Sequence, residues 1–251
     1  MNLTDVYAAA DAKKEKSESC YGLYRGVRNA TWRLLLRFGI TSLPVSCTDV
    51  AVHMNVPVLG YDRAAPLLRA LGLEEHCEGN DGFAAHIDGR WCVFLNDALQ
   101  SADRYNFTLA HELGHVFLGH VMEEKQFSEK NRVQFTRLNR REWALGLNRA
   151  EGMEREANMF AARMLSPACA LWGLDLHSTT EIAYACGLPK HVARKRAERM
   201  RILYERNLFL KSNIESTLFD RFTPYLLSQR GEQGLPEHCV KKLAEIAKAR
   251  D

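Results

Sequence analysis

Residues 107–120, reading Phe-Thr-Leu-Ala-His-Glu-Leu-Gly-His-Val-Phe-Leu-Gly-His, constrain the chain more than any other stretch. Leu109, Ala110, Leu113, Val116, Phe117 and Leu118 are apolar enough for a buried helix, yet that helix would carry His111, Glu112 and His115 inward with it. Histidines four apart on a helix stand about 40° from each other, so both imidazoles can reach one ion. Buried imidazoles need polar partners or a metal. Glu112 falls on the neighbouring flank, where a carboxylate can take a proton from a water without being a ligand itself. This is the H-E-x-x-H arrangement of zinc peptidase helices. Gly114 keeps one side of the turn bare.

Two histidines do not close a metal site. A metzincin would put a third histidine at 121 and a glycine at 118, where this chain has Val121 and Leu118. His120 misses that register by one, and continued helical geometry would put it on the far side from His111, as a structural or exposed residue near the helix end. The third ligand must come from elsewhere. Glu154 to Leu165 is a strong helix former that stops at Pro167, and zinc sites with two helical histidines are commonly completed by a glutamate of a following helix. Glu154 and Glu156 compete for that role. Glu154 shares a face with Asn158, which can then serve as a hydrogen-bonding partner orienting a ligand, while Glu156 lies about 200° away and reads as an exposed charge. Glu154 is the preferred ligand.

The rest of the chain sets limits. At 251 residues it can bury a large core, and 34 basic against 31 acidic residues, a net +3, demands neither nucleic acid nor an anionic membrane as partner. No apolar run approaches the roughly 20 residues of a membrane-spanning helix. Met1 to Lys16 is polar, without the apolar centre of a signal peptide, so a cytoplasmic location is expected. Seven scattered cysteines form no C-x-x-C pair and read as reduced core thiols.

In chain order, residues 1–20 read as a flexible lead. A helix is expected from about Tyr24 to Phe38 with Gly39 as its stop, then a short helix from Asp49 to Met54. A strand from Val56 to Tyr61 and a helix from Asp62 to Leu71, opened by an Asp cap, follow. Gly82 to Ile87, the turn Asp88-Gly89, and Arg90 to Asn96 make a β-hairpin. Its second arm is the candidate edge strand for holding extended substrate by backbone pairing, with Trp91, Val93 and Leu95 as the contact candidates. His86 and Tyr105 are candidate oxyanion donors that the sequence does not rank. Met122 to Gly152 is polar and basic and reads as loops with a short helix around Trp143. After Pro167, Ser178 to Glu181 forms a capping box before a short helix to Cys186. Gly187-Leu188-Pro189 turns the chain into a basic helix, in the outline of a helix-turn-helix. That pair is expected to pack on the core with a solvated basic face, DNA being the less favoured partner. Asn213 to Leu227 and Pro236 to Lys248 complete a helical extension.

Two separate motifs carry a resemblance. Phe107-Thr108-Leu109-Ala110-His111-Glu112-Leu113-Gly114-His115, followed by Glu154-Arg155-Glu156-Ala157-Asn158-x-Phe160-Ala161-Ala162 and Pro167, resembles the ImmA/IrrE family of metallo-endopeptidases. The resemblance covers about Thr31 to Pro167. Met164-Leu165-Ser166-Pro167 replaces a more usual Leu-Leu-Met-Pro ending, and the connection after His120 is long. The resemblance implies an α+β, mainly helical fold: a gluzincin-like zinc peptidase core with a small sheet or hairpin, and an all-helical C-terminal extension. The expected division is 1–20, 21–170 and 171–251. It implies one zinc held by His111, His115 and Glu154 with Glu112 as base, and a helix-turn-helix repressor of a mobile element or stress response as the protein cleaved. The alternative is a non-proteolytic metal-binding regulator acting through its C-terminal helices.

Overall fold

The computed structural model describes residues 25–99, 101–121, 123–126, 132–136 and 148–248. The expected flexible lead and the helix around Trp143 lie outside these residues. The architecture is α+β and mainly helical. A first helix covers 25–37 (α1), and Gly39 follows it with φ +64°. Then come α2 (Cys47–His53), β1 (Val58–Gly60), α3 (Tyr61–Ala70), the single turn α4 (Glu74–Cys77) and the hairpin of β2 (Gly82–Ile87) and β3 (Arg90–Leu95). Asp88 at φ +48° and Gly89 at φ +80° make the tight turn that Asp-Gly favours. Helix α3 is not opened by its own aspartate: Gly60 occupies the cap, and Asp97, beyond the end of β3, accepts from the Asp62 N–H at 2.7 Å.

Among the described residues five strands form one mixed sheet in the order β1-β3-β2-β5-β4, where β4 is Glu123–Gln126 and β5 is Arg132–Phe135. These two strands stand where the sequence reads as loops. Only β1 and β3 are parallel, paired as Val58↔Val93, Leu59↔Phe94 and Gly60↔Leu95. Over Val93 to Leu95 strand β3 is therefore interior, and the expectation of an edge strand presenting Val93 and Leu95 to substrate is corrected, while Trp91 lies beyond the β1 pairing. Val93 and Leu95 are buried in the core, and the half-buried Trp91 packs against His86 with the rings tilted by 53° and their centroids 5.2 Å apart. The difference comes from the three-residue β1, whose parallel pairing covers the second half of β3.

Alternation along the hairpin sorts side chains to two faces. Ala84, Val93 and Leu95 join Leu109, Ala110 and Leu113 of α5 (Ala102–Leu118), while Phe83, Ala85 and Phe94 meet Ala64 and Leu68 of α3 and Leu73. The sheet is thus covered by α5 on one side and by α3 on the other. Ser101 caps α5 by accepting from the Arg104 N–H at 3.3 Å, and Gly119, at φ +71°, ends it.

Helix α6 (Asn148–Leu165) lies against α5, and the contact depends on Gly114. A Cβ there would meet Phe160 Cδ1 at 3.0 Å. Gly114→Val is expected to cost about 2 kcal/mol by overpacking, a fall in melting temperature of roughly 5 °C by calorimetry; an unchanged melting temperature would mean that the two helices separate freely.

The remaining helices are α7 (Ala168–Gly173), α8 (Thr179–Cys186), α9 (Lys190–Glu205), α10 (Asn213–Arg230) and α11 (Glu237–Lys248). Ser178 and Glu181 form the expected capping box, and Gly187 turns α8 into α9 with φ +58°. One apolar cluster runs from Val27 to Cys239, taking in Leu109, Phe160, Trp172, Ile182, Met200 and Phe219, so α7 to α11 share a core with the metal helix. Buried Arg196 of α9 donates to the Ser166 carbonyl at 3.0 and 2.6 Å, tying α9 to the end of α6. Among the described residues no helix is long and apolar enough to cross a membrane. Burial pushes the thiols of Cys47 and Cys169 strongly upward and those of Cys186 and Cys239 to about 12, which leaves them inert.

Candidate active site

The buried centre of α5 carries His111, Glu112 and His115 one turn apart, and α6 brings Glu154 across from its first half. The His111 and His115 Nε2 atoms are 3.0 Å apart. Glu154 Oε2 lies 3.1 Å from His111 Nε2, and its Oε1 lies 3.6 Å from His115 Nε2. Two donors about 2.05 Å from a tetrahedral ion are roughly 3.3 Å from each other, so these separations suit one zinc-sized ion. The donor set of two imidazoles and a carboxylate, all within 4.8 Å of one another, leaves a fourth position for water. His111 and His115 are buried and Glu154 is nearly so. Such a cluster is costly without a cation to hold it.

Glu112 is fully buried and turns toward the sheet. Thr136, just past β5, lies with Oγ1 3.1 Å from Glu112 Oε2. Thr136 Oγ1 also accepts from the Ala84 N–H at 2.9 Å, while the Thr136 N–H donates to the Ala84 carbonyl at 3.0 Å. The single hydroxyl proton of Thr136 is shared between two acceptors, the Ala84 carbonyl at 3.2 Å and Glu112 Oε2 at 3.1 Å, so Thr136 links the carboxylate to β2. Sequence reading missed Thr136 because β5 is short and its partner strand β4 is wholly polar.

Behind His115 stands a second arrangement that helical periodicity does not foresee. Gly119 breaks the helix, the His120 N–H returns to the His115 carbonyl at 2.9 Å, and the His120 ring folds back into the interior. His120 Nδ1 is 3.1 Å from His115 Nδ1, and His120 Nε2 is 3.2 Å from Glu156 Oε2. If His115 turns Nε2 to the ion, its Nδ1–H donates to His120, which donates in turn to Glu156. Burial pushes the His120 imidazole's pKa down, opposed by the adjacent Glu156 carboxylate. This corrects three readings. His120 is not on the far side of the helix, because the helix has already ended. Glu156 is not an exposed charge but is half-buried against His120. Asn158 does not contact the ligands in the bonds it makes: its Nδ2 donates to the Glu154 backbone carbonyl, 2.8 Å away on the same helix, and the side chain is exposed. His120→Ala is expected to weaken metal binding about 10- to 100-fold, as losing an orienting partner does, measured by competition with a chromogenic chelator.

A cleft of about 550 Å³ opens in front of the cluster, reaching His111 and Glu154. Thr108 and Phe107 of α5, Asp81 and the start of α9 at Lys190 and His191 border it. His86 and Tyr105, the candidate oxyanion donors, are not among the residues bordering it; His191 is an imidazole that is. Nothing in the α9 pattern marks His191, because only the turn at Gly187 aims that helix end at the cleft.

Comparison with curated proteins finds no match. Residues 69–217, more than half of the chain, match the family Peptidase_M78, the IrrE N-terminal-like domain, and the chain belongs to that family of peptidases.

Proposed function

We infer that the protein is a zinc-dependent endopeptidase that cuts a peptide bond in a specific regulatory protein, with a helix-turn-helix repressor as the proposed substrate. The carrying observation is the Glu154 carboxylate lying 3.1 and 3.6 Å from the two Nε2 atoms of a buried H-E-x-x-H pair. Family membership implies metallopeptidase activity; the particular substrate rests on the resemblance alone.

His111, His115 and Glu154 would hold the ion. When bound, zinc supplies Lewis acidity, lowering the pKa of water toward about 7 and polarising the scissile carbonyl. Glu112 takes the proton from the attacking water and delivers it to the leaving amine. The Thr136 hydroxyl keeps that carboxylate aimed. The His120–Glu156 pair holds the His115 ring in one tautomer and orientation. His191, at the cleft mouth, is the imidazole nearest in kind to what a developing oxyanion needs. We assign residues 171–251 to a helical unit that borders the cleft through α9, and place its role in substrate selection ahead of DNA contact.

The test compares newly formed protein N-termini in cells making the wild type or Glu112→Gln. One or a few proteins, a helix-turn-helix repressor among them, should be cut only with the wild type. Identical termini together with an unchanged biological output would instead support the non-proteolytic regulator.

A further inference from the structure

The cleft in front of the cluster continues into a second groove of about 630 Å³, with Phe107, Asn158 and His191 bordering both. A chain lying across the cluster can therefore run into this groove without leaving the surface. Its floor is apolar, made by Phe107 of α5, Met159 and Ala162 of α6 and Val192 of α9. Its rim is basic. Arg155 of α6 and Lys195 of α9 are exposed on two different helices, and no carboxylate is among the described residues lining the groove. Helix α9 adds to the same field, since Pro189 at its cap leaves the first turn without a side-chain acceptor and Lys190 and His191 stand there. The other wall of the cleft is different: it carries Asp103 and Asp81, the latter bound bidentately by Arg104 at 2.9 and 2.7 Å.

An apolar floor under a cationic rim complements an apolar side chain with negative charge beside it. We propose that this groove holds the substrate chain on one side of the scissile bond and selects an apolar side chain flanked by carboxylates, making the substrate class an acidic segment bearing leucine or a similar residue. The proposal rests on the peptidase reading for its purpose, but its test does not. The apolar side chain is desolvated on Met159 and Ala162, and the carboxylates stand at Arg155 and Lys195. A basic segment of the same shape is rejected by like charge.

The experiment uses the full chain carrying Glu112→Gln, so that bound peptide stays intact, and two fluorescein-labelled peptides. In one, leucines alternate with glutamates; in the other, lysines replace the glutamates. Fluorescence anisotropy should show the acidic peptide binding about tenfold more tightly, because each exposed ion pair gives a few-fold, and the advantage should shrink as salt rises. Arg155→Glu combined with Lys195→Glu, both exposed positions whose folding is checked by circular dichroism, should reverse the order. Equal affinities, no binding of either peptide, or an order that survives the double charge reversal would overturn the proposal. If the acidic preference and its reversal appear while the wild type cuts no protein, the groove assignment stands and the peptidase reading falls.

Discussion

Glu112→Gln should lower peptide-bond cleavage by about three orders of magnitude while leaving fold and metal content unchanged, the loss expected when a positioned general base is removed. The isosteric amide fills the same fully buried space, and its carbonyl oxygen can still accept from the Thr136 hydroxyl. What it cannot do is take a proton. The measurement is turnover of the cut protein, once found, alongside zinc content and melting temperature of both forms. Retained cleavage in a zinc-loaded Glu112→Gln protein would remove Glu112 from the chemistry. Thr136→Val belongs to the same test and should cost far less, about tenfold, because it loosens the carboxylate without removing it.

Glu154→Ala should have the second large effect. Structural zinc binding is worth about 10–16 kcal/mol over four ligands, so losing one ligand costs roughly 3 kcal/mol, on the order of a hundredfold or more in affinity. Glu156→Ala acts only through His120 and His115 and should fall nearer tenfold. The two carboxylates sit two positions apart on α6 and differ by which histidine each meets: Glu154 meets His111 and His115, and Glu156 meets His120. Titration with a competing chelator reads both. Equal losses would mean that the ligand carboxylate is not fixed as the geometry has it.

The part of this site that could be read from the sequence is the part set by local periodicity. Two histidines on one helical face, the side of the turn that Gly114 leaves bare, the Asp88-Gly89 turn and the Ser178 capping box each depend on residues within one turn or one hairpin. The preference for Glu154 over Glu156 also came from helical faces, and the distances agree with it. What escaped depends on breaks and on distant partners. His120 reaches His115 only because Gly119 leaves the helix in the left-handed region, and extrapolating a helical wheel past that residue sends the ring the wrong way. The second half of β3 became interior through pairing with the three-residue β1, and parallel pairing between segments this far apart leaves no local pattern. Thr136 matters because β5 joins β2 at Ala85↔Phe135, a pairing of 50 positions' separation that carries it to Glu112. Asn158 shares the face of Glu154, as the spacing requires, but its side chain bonds its own helix instead of a ligand.

The most direct test of the central claim is the metal content of the purified wild type by inductively coupled plasma mass spectrometry, which also separates zinc from iron, the other ion this donor set suits. One zinc per chain, removed by a chelator and restored when zinc is returned, is the expected result. A well-folded chain that holds no metal even after zinc is supplied would contradict the account and leave His111, His115 and Glu154 as a packed polar cluster.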